Sequence, residues 1–558
     1  MTDAQLRIPS AIDAIAEAWV DTSAELEPTL ATYIGRSEHN GRFGDYSPEG
    51  ADQVAQAVRR TLTDLEQATP VDDVDVVTQT DLRRELQLQL ELHEAGAHLS
   101  DLNVIDSPTQ NIRSVFDLMP TDTVDDWATI TERLGALPDA VAGYMQTLRT
   151  GIDRGAVPAR RQVVEVIGQI ARYTADDGFF AAFAAEAAPA DGSLPASLAR
   201  ELSDRAGAAR VAYDELAAFL STELAPAATE KDGVGRDLYA LHSRRFLGAT
   251  VDLDETYEWG VEELARMVAE QEHIADRIIP GASVEEAVAF LESDPAMKLH
   301  GTEALQRWMQ ETSDRAVAEL GRTHFDIPEP VRRLECLIAP TNEGGIYYTG
   351  PTDDFSRPGR MWWSVPEGVT EFDTWRELTT VYHEGVPGHH LQIGQAVHNR
   401  AQLNSWRRLL AGTSGHAEGW ALYAERLMEQ LGYLDAPADR LGMLDGQRMR
   451  AARVVLDIGV HLGKPRLDGE GEWDADYALA FMRRNVNMPD EFIRFEVNRY
   501  LGWPGQAPSY KVGQRIWEQI RDDVREAEGD AFSMKAFHRR ALDLGGVGLD
   551  TLRAALTP

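Results

Sequence analysis

The chain has a single cysteine, Cys336, in 558 residues. No intrachain disulfide can form, and no thiolate cluster can hold a metal, so any metal site has to use histidine and carboxylate. Cys336 lies in Leu334-Glu335-Cys336-Leu337-Ile338, which reads as a short apolar strand with the thiol buried as a small hydrophobe. No run of about 18 apolar residues occurs. Met1 to Leu6 shows neither the basic nor the apolar part of a leader, so the expectation is a cytoplasmic protein with no membrane partner. Lysine is nearly absent, with five (Lys231, Lys298, Lys464, Lys511, Lys535) among 54 basic residues. Positive charge is also short overall, with 92 acidic residues and a net charge of -38. Such a chain repels a phosphate backbone, which argues against nucleic acid as a partner.

What is present is an ordinary globular composition, 43% hydrophobic and 26% charged. The length exceeds what one growing core accommodates, so two packed lobes are expected. From Ala11 to about Pro328 amphipathic helices alternate with Pro, Gly and Asp breaks. Leu82, Leu86 and Leu90 follow the i, i+4 spacing among strong helix formers, so that stretch reads as helix. Between Arg333 and Val365 the texture changes to β formers and turns, which predicts a small antiparallel sheet. Helices resume at Thr374, whose hydroxyl and Glu377 form a capping-box pattern. The expected fold is mainly α, with a helical lobe over 1-330 and a catalytic lobe over 331-558 whose sheet lies beside the active-site helix.

The chemistry concentrates in His383-Glu384-Gly385-Val386-Pro387-Gly388-His389-His390. In the His-Glu-x-x-His signature two histidines one turn apart bind zinc, and the glutamate activates water. Here Pro387 takes the second histidine's place. Proline removes a helix hydrogen bond and clashes with the preceding turn, so a kink or bulge is expected there. Helical phase favours His390 as the second ligand, because seven steps of about 100° return to the face of His383. His389 is the alternative. A third ligand is required, and Glu418 supplies it; Glu425, seven residues on along the same helical face, reads as a surface carboxylate.

These segments, with Gly344-Gly345-Ile346-Tyr347-Tyr348, Ser356-Arg357-Pro358-Gly359 and Glu418-Gly419-Trp420-Ala421, resemble the bacterial family called domain of unknown function 885. The stretches Arg453 to His461, Glu496 to Tyr500 and Pro504 to Lys511 fit it as well, so the resemblance spans essentially the whole chain. It implies a two-lobed, helical, glutamate-liganded zinc peptidase-like fold around a deep cleft, and no assigned substrate. Glu418 is similar in setting to the glutamate ligand of zinc aminopeptidases.

The functional expectation is a Zn2+-dependent hydrolase acting on a small peptide or amide, with His383, His390 or His389, and Glu418 as ligands and Glu384 as base. Asp457 can orient His461 from one helical turn away, so His461 and Tyr510 are candidate oxyanion donors. Arg357, Arg499 and Lys511 are candidate receivers of a peptide carboxylate, and Tyr347 a substrate contact. An amidase or esterase on a non-peptide substrate is the alternative within the same chemistry. A metal-free binding protein is the alternative outside it, since the standard second histidine is missing. No oligomeric state is implied.

Overall fold

A computed structural model describes residues 7–190, 192–340 and 345–557. Met1 to Leu6 and Gly344 lie outside the described residues. The architecture is mainly α, as expected. Leu82, Leu86 and Leu90 fall in the helix Asp73–Glu94, with Leu82 and Leu86 fully buried. No helix among the described residues is long and apolar enough to cross a membrane.

Five short strands are present among the described residues: β1 (Lys298–His300), β2 (Leu334–Ile338), β3 (Ile346–Thr349), β4 (Gly359–Trp363) and β5 (Glu371–Asp373). β3 pairs antiparallel with β4, as the turn-rich texture predicts, and β1 pairs antiparallel with β5 outside that stretch. β2 joins the other edge of β4 in parallel, so the three-stranded sheet has the order β2-β4-β3. Its alternating burial places Leu334, Cys336, Met361 and Trp363 in one core with Val381 of the helix Thr374–Glu384. The sheet is therefore the floor on which that helix rests. The capping-box pattern is not used: Thr374 is the first helical residue behind the N-cap Asp373, and its hydroxyl donates to the Met297 carbonyl at 3.0 Å.

The packing does not divide at residue 330. One core joins residues 102 to 228, another ties the first helices to Trp406, and a third runs from Tyr239 and its neighbours to Leu556. The helix Leu253–Ile278 packs along Pro437–Leu462 and shares that third core. The change in sequence texture near Val331 marks the sheet rather than a lobe boundary, because helices on both sides of it bury their apolar faces together.

Two helices cross closely where the site is built. A Cβ on Gly419 of the helix Ser414–Gln430 would lie 2.5 Å from Gly513 C, and one on Gly513 of the helix Ser509–Glu528 would lie 2.4 Å from Gly415 O. Only residues without side chains permit this backbone approach. It brings Glu418 and Tyr510, each next to the crossing, onto neighbouring turns. Gly419→Val is expected to force the helices apart and cost about 1–3 kcal/mol, read as a lower melting temperature; a variant as stable as the parent would refute the close packing.

Candidate metal centre

The helix carrying His383 ends at Glu384, and a new one begins at His389. Between them the Val386-Pro387 peptide is cis, and Gly388 N–H donates back to Tyr382 O at 3.0 Å. There is no room for a side chain at this break, since a Cβ on Gly388 would lie 1.8 Å from the His383 carbonyl oxygen. The break is held from across the site by Trp420, whose Nε1 donates to Pro387 O (2.9 Å) and Gly388 O (3.2 Å).

This geometry reverses the expected choice of histidine. His383, Glu384 and His389 form one buried group with donor atoms within 4.8 Å of one another. His390 points elsewhere: its Nε2–H donates to Val331 O at 2.7 Å, and its Nδ1 accepts from the Tyr348 hydroxyl at 2.9 Å. Burial pushes it down to about 4, so it stays neutral with both nitrogens engaged. The helical-phase argument assumed one helix with a bulge. Two separate helices stand there instead, and the second starts with its own phase.

Glu418 completes the group. Its Oε2 lies 3.3 Å from His383 Nε2 and 3.7 Å from His389 Nε2, and that buried oxygen has no hydrogen-bond partner, nor has His389 Nδ1. Glu425, expected at the surface, is buried instead, and its Oε1 accepts from His383 Nδ1–H at 2.8 Å. That bond holds the ring through Nδ1, leaving the His383 Nε2 edge facing Glu418 and His389. Gln447 Nε2 donates to the other Glu425 oxygen at 3.3 Å.

Lys511 is buried and does not face a substrate. Its Nζ donates to Gln447 Oε1 (2.6 Å) and Gln514 Oε1 (3.0 Å) and pairs with Glu263 at 2.9 Å. Arg499 is likewise committed, with Nε and Nη2 on Glu496 and Nη1 on Gln506. Arg357 donates to the carbonyls of Gly350 and Pro358 and so organises its own loop. Tyr347 stacks on Trp362 with centroids 6.3 Å apart, while its neighbour Tyr348 is the one that reaches the histidine pair.

His461 does not reach the centre either. Its Nε2–H donates to Tyr500 O at 3.0 Å and its Nδ1 accepts from Val234 N–H at 3.4 Å. It lies roughly 21 Å along its helix from Gln447 at 1.5 Å per residue. Asp457 is 3.9 Å from it and is engaged instead by the Tyr239 hydroxyl and Gly505 N–H. Tyr510, by contrast, is near enough to Glu418 for that carboxylate to act on its phenol. Two residues beside the centre had no motif to reveal them: Gln447, and Arg450 one turn further on.

A cavity of about 1060 Å³ is lined mostly by the first helices, among them Tyr46, Leu88, Asp101 and Arg245, and closed by Ser414 and Trp503. The four residues of the cluster do not line it. Ser414, however, begins the helix that presents Glu418 one turn later.

The sequence profile of the family described as "Bacterial protein of unknown function (DUF885)" matches residues 28–556. Among solved structures, a protein of Colwellia psychrerythraea described as a candidate lipoprotein superposes with a TM-score of 0.82 at 21% identity, covering 98% of this chain and 99% of that one. One from Shewanella oneidensis, described as a candidate lipoprotein of unknown function, gives 0.77 at 17% identity over 98% and 99%. At these identities the likeness is one of fold. No curated protein is similar to the chain.

The arrangement predicts that His389→Ala abolishes binding of a divalent ion whereas His390→Ala retains it, as read by elemental analysis; the opposite pattern would restore the helical-phase assignment. Glu425→Ala should weaken metal affinity by about 10–100-fold. Lys511→Met, which removes a cation from a buried carboxylate, should lower unfolding free energy by about 3 kcal/mol, and a denaturation midpoint equal to the parent's would show that the lysine is dispensable.

Proposed function

Since the chain belongs to the bacterial DUF885 family, whose description assigns no activity, we propose from the site itself that the protein is a zinc-dependent hydrolase of the peptidase type. One observation carries this reading: the Nε2 atoms of His383 and His389 lie around a buried oxygen of Glu418 that has no hydrogen-bond partner. An orphaned carboxylate oxygen aimed at two imidazoles costs free energy unless a cation satisfies it. His383 reports the same demand, for burial opposes its protonation, yet Glu418 and Glu425 together push it up to about 10. Two nitrogens and one carboxylate oxygen are a donor set that suits zinc and leaves a position for water.

In this reading His383, His389 and Glu418 would hold the zinc, whose chemistry is Lewis acidity and a water acidified from about 15.7 toward about 7. The residues of the chain do the rest. Glu425 fixes the His383 ring through Nδ1. Glu384 is nearly enclosed, and burial raises its carboxyl while His389 and His383 oppose the rise. A carboxylate so tuned accepts a proton from the attacking water and passes it to the leaving nitrogen. Burial also pushes the Tyr510 phenol up to about 12, with the Glu418 charge adding to the shift. It therefore stays protonated and can donate to the oxygen on which charge develops.

Glu384→Gln is expected to keep about one zinc per chain and to lower peptide turnover by about 100- to 10,000-fold. Elemental analysis and single-turnover assays check the two halves. A purified protein that binds no zinc under any loading condition, or a Glu384→Gln variant with parental turnover, would end this reading.

A further inference from the structure

We propose that Arg450, flanked by Arg453 and Arg499, receives a carboxylate carried by the substrate next to the bond that is cut. The substrate class rests on the hydrolase reading above; the anion site itself does not. Arg450 follows Gln447 by one turn on the helix Pro437–Leu462, and Gln447 touches Glu425, so the guanidinium projects from the face that lines the metal centre. It is close enough for its charge to act on Glu384, Glu425 and Tyr510. Its Cζ lies 5.9 Å from the Tyr510 ring centroid, and that of Arg453 lies 5.1 Å away.

Yet Arg450 has no ion pair or hydrogen bond among the described residues, and its Nε is buried without a partner. Glu384 is near enough to feel its charge but forms no ion pair with it, and the other nearby carboxylates are turned to other groups. Glu425 is held by His383 and Gln447, Glu418 faces the two histidines, and Glu496 is shared by Arg453 and Arg499. In a chain of net charge -38 with carboxylates in excess, an arginine left without one is not explained by the fold. An unsatisfied, half-buried guanidinium is costly to keep, and its planar fork matches a carboxylate bidentately. A group bound there would sit beside Glu384 and Tyr510, which makes peptides with a carboxylate near the scissile bond the favoured substrates. That carboxylate comes from the chain terminus or from an acidic side chain.

The test is equilibrium binding by calorimetry to full-length, zinc-loaded Glu384→Gln protein. The probes are N-acetyl dipeptides with a free carboxylate, the same dipeptides as C-terminal amides, and amides ending in Asp or Glu. Free acids should bind about 10- to 100-fold tighter than plain amides. Adding Arg450→Met should erase that gap by weakening the acids while leaving the amides unchanged, and Arg450→Lys should recover part of it. If amides ending in Asp or Glu bind as tightly as the free acids, the side chain is the source of the anion. Because Arg450 has no hydrogen-bond or ion-pair partner to lose, only the contact with the Tyr510 ring, Arg450→Met should melt close to the parent temperature. A gap that survives Arg450→Met, acids that bind no tighter than amides, or a melting temperature lowered by several degrees would each overturn the proposal. Turnover by the parent separates the two readings. Acids bound through Arg450 but never cut would sink the hydrolase and leave the anion site; acids and amides cut equally, with or without Arg450, would do the reverse.

Discussion

A buried chain of polar contacts from Glu263 through Lys511, Gln447 and Glu425 to His383 ties the candidate metal centre to the rest of the protein. It crosses five helices, and each link removes a freedom from the next. Lys511 orients the Gln447 amide, the amide presents its NH2 to Glu425, and the carboxylate holds the His383 ring through Nδ1. In a low-dielectric interior such a network stabilises only if every member is satisfied. Burial pulls Lys511 down from its ordinary value, while Glu263 opposes the shift. Glu263 is also paired with Arg266 at 2.7 Å and is held below the usual carboxylate range despite its burial. The charge at the far end of the chain is thus balanced before it reaches the histidine.

The second constraint is the interrupted helix. Within one continuous helix His389 would point about 120° away from His383 after winding, and His390 would share its face but stand a turn too far. Ending the first helix at Glu384 and starting another at His389 brings the two rings to a centroid distance of 4.9 Å, nearly perpendicular. His390 is not idle in this arrangement. Between Val331 O and the Tyr348 hydroxyl it fastens the new helix to the sheet side of the site, and Trp420 fastens the break to the helix that bears Glu418. The adjacent histidines therefore divide the work, one facing the centre and the other anchoring the backbone that aims it.

Charge is unevenly distributed as well. A strongly acidic chain places Arg450, Arg453 and Arg499 around Tyr510, next to a centre built from histidine and glutamate. The composition alone describes the protein's long-range field, which repels polyanions. It says nothing of this local inversion, where guanidinium groups gather around a phenol close to Glu384.

Much was legible in the sequence because it is local. The helical period over Leu82 to Leu90, the β-rich stretch around Cys336, the distortion expected at Pro387-Gly388 and the adjacent His-Glu pair all depend on residues within a few positions of one another. The spacing of Glu418 and Glu425 on one helical face was also readable, though not that both face inward. What the tertiary structure decided is which of these groups meet. His389 rather than His390 joins His383 because the phase of a second helix is set by its packing on Val331, Tyr348 and Trp420. His461 and Lys511 sit in motif-like settings yet serve the interior, since a helix carries a side chain some 1.5 Å further from the site with each residue and burial assigns partners from segments remote in the chain. Arg450 and Gln447 carry no motif at all; they stand out because a long helix passes the histidine–glutamate cluster at that turn, and contacts between distant segments leave no period or spacing in a sequence for pattern reading to find.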